Sequence, residues 1–156
     1  MKNFWLMKSE PSCFSIDDLK NLPEQTTHWD GVRNYQARNF MKNDMKIGDL
    51  VFFYHSNCNP PGIIGTAEVV SDAYPDHTAF DPTSEHPDAN STPDNPRWFM
   101  VDIRYKGKFS QLISLERLKQ YPELHNMLIL RKGNRLSITP VSNNEWAFIN
   151  KLASTN

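Results

Sequence analysis

Cysteine is scarce in this chain, which has only Cys13 and Cys58 and no Cys-x-x-Cys pair. A disulfide framework needs several cysteines, and a zinc ribbon needs closely paired ones. The sequence therefore offers neither, and we expect both thiols to be reduced inside a cell.

Long apolar runs are also missing. The first run, Phe4 to Met7, is too short for the core of a signal peptide, and no later run approaches the roughly 18 residues that cross a bilayer. We therefore predict a cytoplasmic protein with no membrane partner.

An excess of one charge sign is absent as well, since 17 basic residues face 18 acidic ones. This balance excludes a uniformly basic surface that wraps nucleic acid. Locally the charges separate: residues 72–94 carry six acids and no lysine or arginine, whereas residues 97–135 carry nine basic residues and three acids. The second segment suits a phosphate backbone, and an ordinary solvated surface explains it equally well.

Templates for catalysis and metal binding are lacking too. The segment 62–65 has no Lys-Ser/Thr pair of a phosphate-binding loop, no Gly-x-Ser-x-Gly motif occurs, and the five histidines form no His-x-x-x-His pair. We predict no catalytic residue, no metal and no cofactor.

What the sequence does contain is enough apolar and aromatic residues for one core, so we predict a single domain over residues 1–156. Hydrophobic patterns and capping residues predict an α+β fold, a mixed β-barrel with peripheral helices. A four-proline stretch, residues 81–96, predicts a long surface loop.

The predicted strands are Phe4–Met7, Leu50–Tyr54, Ile63–Val70, Trp98–Tyr105 and Leu136–Ile138. Helices are predicted after Ser15, over Asn34–Lys42 and Ser114–Tyr121, and after Ser142.

Trp29 is the residue in this pattern that most invites a binding role. Its polar neighbours, His28 and Asp30, favour a ring on which a planar base stacks while nearby amides and hydroxyls read the edge of the base. A core tryptophan is the alternative. Arg33 and Arg38 follow closely and could reach phosphate, with solvated surface arginines as the alternative.

Four segments, in this order, resemble the EVE domain family. They are Phe4–Pro11 (FWLMKSEP), Trp29–Asn39 (WDGVRNYQARN), Gly48–Ser56 (GDLVFFYHS) and Asp94–Trp98 (DNPRW). The resemblance implies a PUA-like β-barrel related to the YTH readers of methylated adenine in RNA. It also implies a partner nucleic acid that carries a modified base, with modified cytosine in DNA favoured and modified RNA as the alternative.

The resemblance further implies a base pocket formed by Trp5, Lys8, Ser9, Glu10, Trp29, Asn34, Tyr54, His55 and Ser56. For phosphate binding we select Arg33, Arg38, Arg97 and Arg131. Two other functions stay open. One is a small enzyme on a modified nucleoside or nucleotide, with Lys8, Glu10 or His55 as acid or base; the other is a ribosome or transfer RNA partner.

Two departures from the family pattern matter. Residues 85–89 are more acidic and less aromatic than the family pattern. A basic N-terminal extension typical of eukaryotic members is not seen, so we predict a bacterial protein, and we expect a monomer.

Overall fold

Eight strands and four α-helices form within residues 2–155, which are the part of the chain that this computed structural model describes. The strands are β1 (Phe4–Ser9), β2 (Thr26–His28), β3 (Leu50–His55), β4 (Gly62–Val69), β5 (Tyr74–Pro75), β6 (Phe99–Met100), β7 (Asp102–Ser114) and β8 (Ile138–Val141). The α-helices are α1 (Ile16–Lys20), α2 (Tyr35–Asn39), α3 (Leu115–Leu118) and α4 (Asn143–Ser154); a π turn covers Phe40–Asp44, and 3-10 turns cover Pro23–Gln25, His77–Phe80, Pro122–Leu124 and Leu128–Leu130.

Six of the strands form one mixed sheet in the order β2-β7-β4-β3-β1-β8. Only β1 and β3 run parallel among the described neighbours; the other pairs are antiparallel. The sheet curls into a half-barrel with β2 and β8 at its edges. The predicted α+β class and the mixed sheet are confirmed, and β3 and β4 form an antiparallel hairpin.

The sheet carries an apolar layer on each face, because side chains alternate along its central strands. In β1, Trp5 and Met7 belong to one buried cluster and Leu6 to the other. In β3, Phe53 belongs to the cluster of Trp5 and Met7, and Tyr54 belongs to the cluster of Leu6. A strand covered on both faces must be apolar along its whole length, which explains the continuous run that begins at Leu50.

The predicted strand Trp98–Tyr105 proves to be two strands with different partners. Phe99–Met100 pairs with β5, whereas β7 starts at Asp102 and continues to Ser114 alongside β4. The predicted helix Ser114–Tyr121 is shorter in the structure, where α3 covers Leu115–Leu118. Ser114 is the last residue of β7 and the N-cap of α3. The fifth strand lies slightly later than predicted, at Ile138–Val141, and tolerates Pro140 because β8 is an edge strand.

The predicted helix caps are confirmed. Ser15 Oγ accepts the Asp18 N–H at 3.1 Å, and Asp18 in turn accepts the Ser15 N–H at 2.9 Å. Ser142 and Glu145 repeat this capping box at the start of α4. Within residues 2–155 no helix combines the length and apolar character that crossing a membrane requires.

Gly65 lies where the backbones of β4 and β7 come too close for a side chain. The strand register shifts between Ile63 and Gly65, and a Cβ at Gly65 would lie 2.3 Å from the Gly107 carbonyl oxygen. An isolated glycine within a strand is typical of a bulge or of a close backbone approach, and the structure shows both at Gly65.

We therefore expect Gly65→Ala to lower the free energy of unfolding by about 1–3 kcal/mol, because the two strands must separate to admit the methyl group. Gly107→Ala is the matched control: a Cβ there meets only Thr66 Oγ1, at 3.9 Å. Its effect should stay within about 1 kcal/mol. Urea unfolding measures both, and equal losses in the two variants would contradict this account.

Candidate functional site

A cavity of about 560 Å³ opens where β1, β2 and β3 end. Residues 8–10 reach it from β1, residues 29–33 from the turn after β2, and Ser56 from the end of β3. Because β1 and β3 are parallel, they end at the same edge of the sheet. The Ser56 N–H donates to the Ser9 carbonyl at 2.9 Å and joins the two strand ends. The remaining lining comes from Cys13, Phe14, Thr27, His28, Thr78, residues 84–86, Arg135 and Ser137.

Trp29 serves the core and the cavity together. Its backbone N–H donates to the Val101 carbonyl at 2.8 Å, which extends the β2–β7 pairing by one residue. The ring is 8% exposed and meets Phe53 edge to face, with 5.7 Å between ring centroids. It also lines the cavity. The two alternatives considered for Trp29 are therefore not exclusive.

A fully buried carboxylate, Asp76, fixes the turn that carries Trp29. It accepts from the Gly31 N–H at 2.8 Å, from Arg33 Nη1 at 3.0 Å, and from both the N–H and the hydroxyl of Thr78. Burial alone would raise the pKa of Asp76. The hydrogen bonds from Thr78, Gly31 and Arg33 outweigh it and hold the pKa below its ordinary value.

The same turn holds residues 84–86 of the long loop against the cavity. Arg33 donates to the His86 carbonyl from Nε at 2.9 Å and from Nη2 at 2.6 Å. Gly31 has a φ of +80°, and a Cβ there would lie 2.9 Å from the His86 ring. The loop thus forms a wall of the cavity. Because the Arg33 guanidinium donates to acceptors within the protein, this geometry does not support the predicted contact between Arg33 and phosphate.

Arg38 is also engaged within the protein. Its guanidinium donates to the Arg97 carbonyl at 2.8 Å and lies 4.8 Å from the centroid of the Tyr35 ring. Tyr35 in turn stacks on Trp98. Neither Arg38 nor Arg97 lines the cavity, although the Arg97 side chain has no hydrogen-bond partner within residues 2–155.

Four predicted pocket residues lie outside the cavity, and three of them support the framework instead. Trp5 is the second residue of β1 and is buried, and its Nε1 donates to Asp49 at 3.0 Å. Asn34 caps α2 by accepting the Ala37 N–H. His55 Nε2 accepts the Ile16 N–H at 3.1 Å, and burial lowers the pKa of this histidine, which suits a neutral, accepting ring.

A second cavity, of about 570 Å³, adjoins the first on the opposite face of the sheet. Tyr54 lines it rather than the first cavity, and Arg131 lies at it too. Burial raises the pKa of Tyr54 to about 12, so its phenol stays protonated at neutral pH. Lys8 and Ser56 line both cavities.

Sequence reasoning missed Asp76, Arg135, Ser137 and the loop wall at residues 84–86. Ser137 had a detectable signal, because it lies within the predicted strand Leu136–Ile138. In the structure its carbonyl accepts the Lys8 N–H at 2.9 Å, next to the pairing of β8 with β1. For Asp76 the only local signal is its cap on Thr78, two residues later, because its other partners, Gly31 and Arg33, lie more than 40 positions away. Among residues 2–155 no three His, Cys, Asp or Glu side chains are grouped to hold a metal ion.

The site suits a flat, polar-edged ligand, since a buried aromatic ring and several hydrogen-bonding groups surround a volume typical of small-molecule sites. A curled mixed sheet with such a cavity at its strand ends defines a PUA-like α+β domain. The sequence profile of the EVE domain matches residues 3–152. The chain belongs to the EVE domain family, as its motifs had indicated.

Known proteins resemble the chain along most of its length. Thymocyte nuclear protein 1 from Homo sapiens is 46% identical over 165 residues, which cover 96% of this chain and 73% of that protein. The crystal structure of human THYN1 in complex with 5-methylcytosine-containing DNA is 45% identical, with a TM-score of 0.93 and 99% of each chain covered. A Pseudomonas syringae crystal structure is 47% identical, with a TM-score of 0.92, covering 96% of this chain and 99% of that one.

Proposed function

We propose that this chain is a non-catalytic, single-domain reader of modified cytosine in DNA. The observation that carries the proposal is the cavity lined by Trp29, which has room for one base. The likeness to human THYN1, crystallised with 5-methylcytosine-containing DNA, supports this choice of ligand over modified RNA. No feature of the site favours a ribosome or transfer RNA partner.

In this proposal the modified base leaves its stack and enters the cavity. Unstacking costs a few kcal/mol, and stacking on an aromatic ring recovers about 1–3 kcal/mol of it. Hydrogen bonds to the base edge supply further binding free energy. The polar side chains that line the cavity and can form them are those of Lys8, Ser9, Asp30 and Ser137.

The enzyme alternative receives less support from the geometry. A general acid or base must reach the reacting atom, but His55 lies outside the cavity lining and its Nε2 accepts from the backbone. Glu10 accepts a hydrogen bond from Asn57. The predictions of a bacterial source, a cytoplasmic location and a monomer stay predictions; several relatives carry the name thymocyte nuclear protein 1.

A test compares two otherwise identical DNA oligonucleotides, one with a central 5-methylcytosine and one with cytosine. Burying one methyl group is worth about 0.8 kcal/mol, so the modified strand should bind roughly four-fold tighter in fluorescence anisotropy. Equal affinities would overturn the reader. Chromatography of the recovered DNA checks the non-catalytic part, which an altered base would contradict.

A further inference from the structure

The two cavities differ in charge. Among the described residues, three acids line the first cavity, Glu10, Asp30 and Glu85, and they offset its lysine and arginines. The second cavity has no acid in its lining and four cations: Lys8, Lys119, Arg131 and Lys132. A neutral base suits the first environment, whereas an anion suits the second.

The cations at the mouth of the second cavity are available to a ligand. Arg131 and Lys132 are exposed, and neither side chain has an acidic partner among residues 2–155. Asn134 fixes the turn that carries them, because it donates to the Leu128 carbonyl at 2.6 Å and accepts the Leu136 N–H at 3.0 Å. Lys119 is different, since it pairs with Glu116 at 3.4 Å.

Lys8 connects the two cavities. It lies next to the last residue of β1, and the strand alternation puts it on the face of Leu6 and Tyr54. At the end of the strand it lines both cavities, together with Ser56. Burial lowers the pKa of Lys8, and within residues 2–155 no acid pairs with it, so an anion close by would stabilise its charged form.

We propose that the second cavity is a phosphate-binding site for the same DNA strand that delivers the modified base. The strand crosses the carboxyl end of β1, with its base on the Trp29 side and a neighbouring phosphate on the Arg131 side. This inference rests on the proposed function. The first cavity then recognises the base on one face of the sheet, and the second cavity binds the DNA backbone on the other.

The test removes both exposed cations with Arg131→Gln/Lys132→Gln and measures binding of a nine-nucleotide single strand containing one 5-methylcytosine. Affinity in 50 mM salt should fall roughly ten-fold, and the slope of log K against log salt should decrease by about 0.7, since one phosphate occupies the second cavity and each phosphate on a single strand contributes about 0.7. The four-fold preference over the cytosine strand should remain. The matched control, Lys20→Gln/Lys151→Gln, removes two exposed cations outside both cavities and should change affinity less than about two-fold.

A second probe carries neutral methylphosphonate linkages on both sides of the modified nucleotide. This probe should bind the parent more weakly than the charged strand does, while the Arg131→Gln/Lys132→Gln variant should hardly distinguish the two. An equal loss in parent and variant, or an unchanged salt slope in the variant, would overturn the phosphate site and leave the reader standing. If the parent shows no preference for 5-methylcytosine, the proposed function fails, and this inference fails with it.

Discussion

Trp29→Leu should lose most of the affinity for the modified base, about five- to 150-fold, because leucine offers no aromatic face worth about 1–3 kcal/mol to a stacked base. Leucine keeps part of the apolar volume against Phe53, so the domain should still fold. Trp29→Ala is a harsher change: the ring is nearly buried, so unfolding should become easier by about 3–5 kcal/mol. Anisotropy at low temperature, with thermal melts alongside, measures both effects.

The control for this substitution is Trp146→Leu. Trp146 stacks on Phe4 and Phe52 in the opposite apolar layer and lines neither cavity. It should cost stability without changing the preference for 5-methylcytosine. If Trp29→Leu binds the modified strand as the parent does, Trp29 is a core residue only and the base enters elsewhere.

Asp76→Asn should lower the free energy of unfolding by about 3–5 kcal/mol, as breaking a buried ion pair from one side typically does. The amide keeps one accepting oxygen and turns an N–H₂ group either toward the donors of Gly31 and Arg33 or toward those of Thr78. Urea unfolding at pH 7 measures this loss. Asp81→Asn is the control, since Asp81 accepts from Thr83 in a similar way but is exposed and should matter less.

The same carboxylate gives stability a pH dependence with a definite sign. Because folding lowers the pKa of Asp76, its contribution is complete above the ordinary value near 3.9 and is lost as pH falls through the lower folded value. The parent should therefore lose stability on acidification below about pH 4, and Asp76→Asn should lose less. A parallel decline in parent and variant would show that other carboxylates cause it.

Local signals in the sequence predicted much of the framework. The apolar run at β3 and the capping serines are short-range features, and each took the predicted form. Strand β2 escaped prediction because it has three residues and exists through its pairing with β7, more than 70 positions away. Strand β7 was predicted too short because Lys106, Gly107 and Lys108 interrupt its apolar pattern where it faces solvent.

The site shows the same division. Lys8, Ser9, Glu10, Trp29 and Ser56 meet at one cavity as the family motifs imply. The pocket role that the resemblance implied for Trp5 is wrong, because alternation in β1 directs its ring into the core. The pairing of Asp76 with Arg33 spans 43 positions and has no local pattern, so only the folded chain reveals what holds the Trp29 turn.

The position of β1 has a consequence for how the protein is made. This strand lies between β3 and β8, so it gains its second neighbour only after residues 138–141 have left the ribosome. Until then its open side is an unpaired edge that any passing strand can join. The first strand of this domain is therefore among the last to gain all its neighbours, and we expect the topology to slow folding.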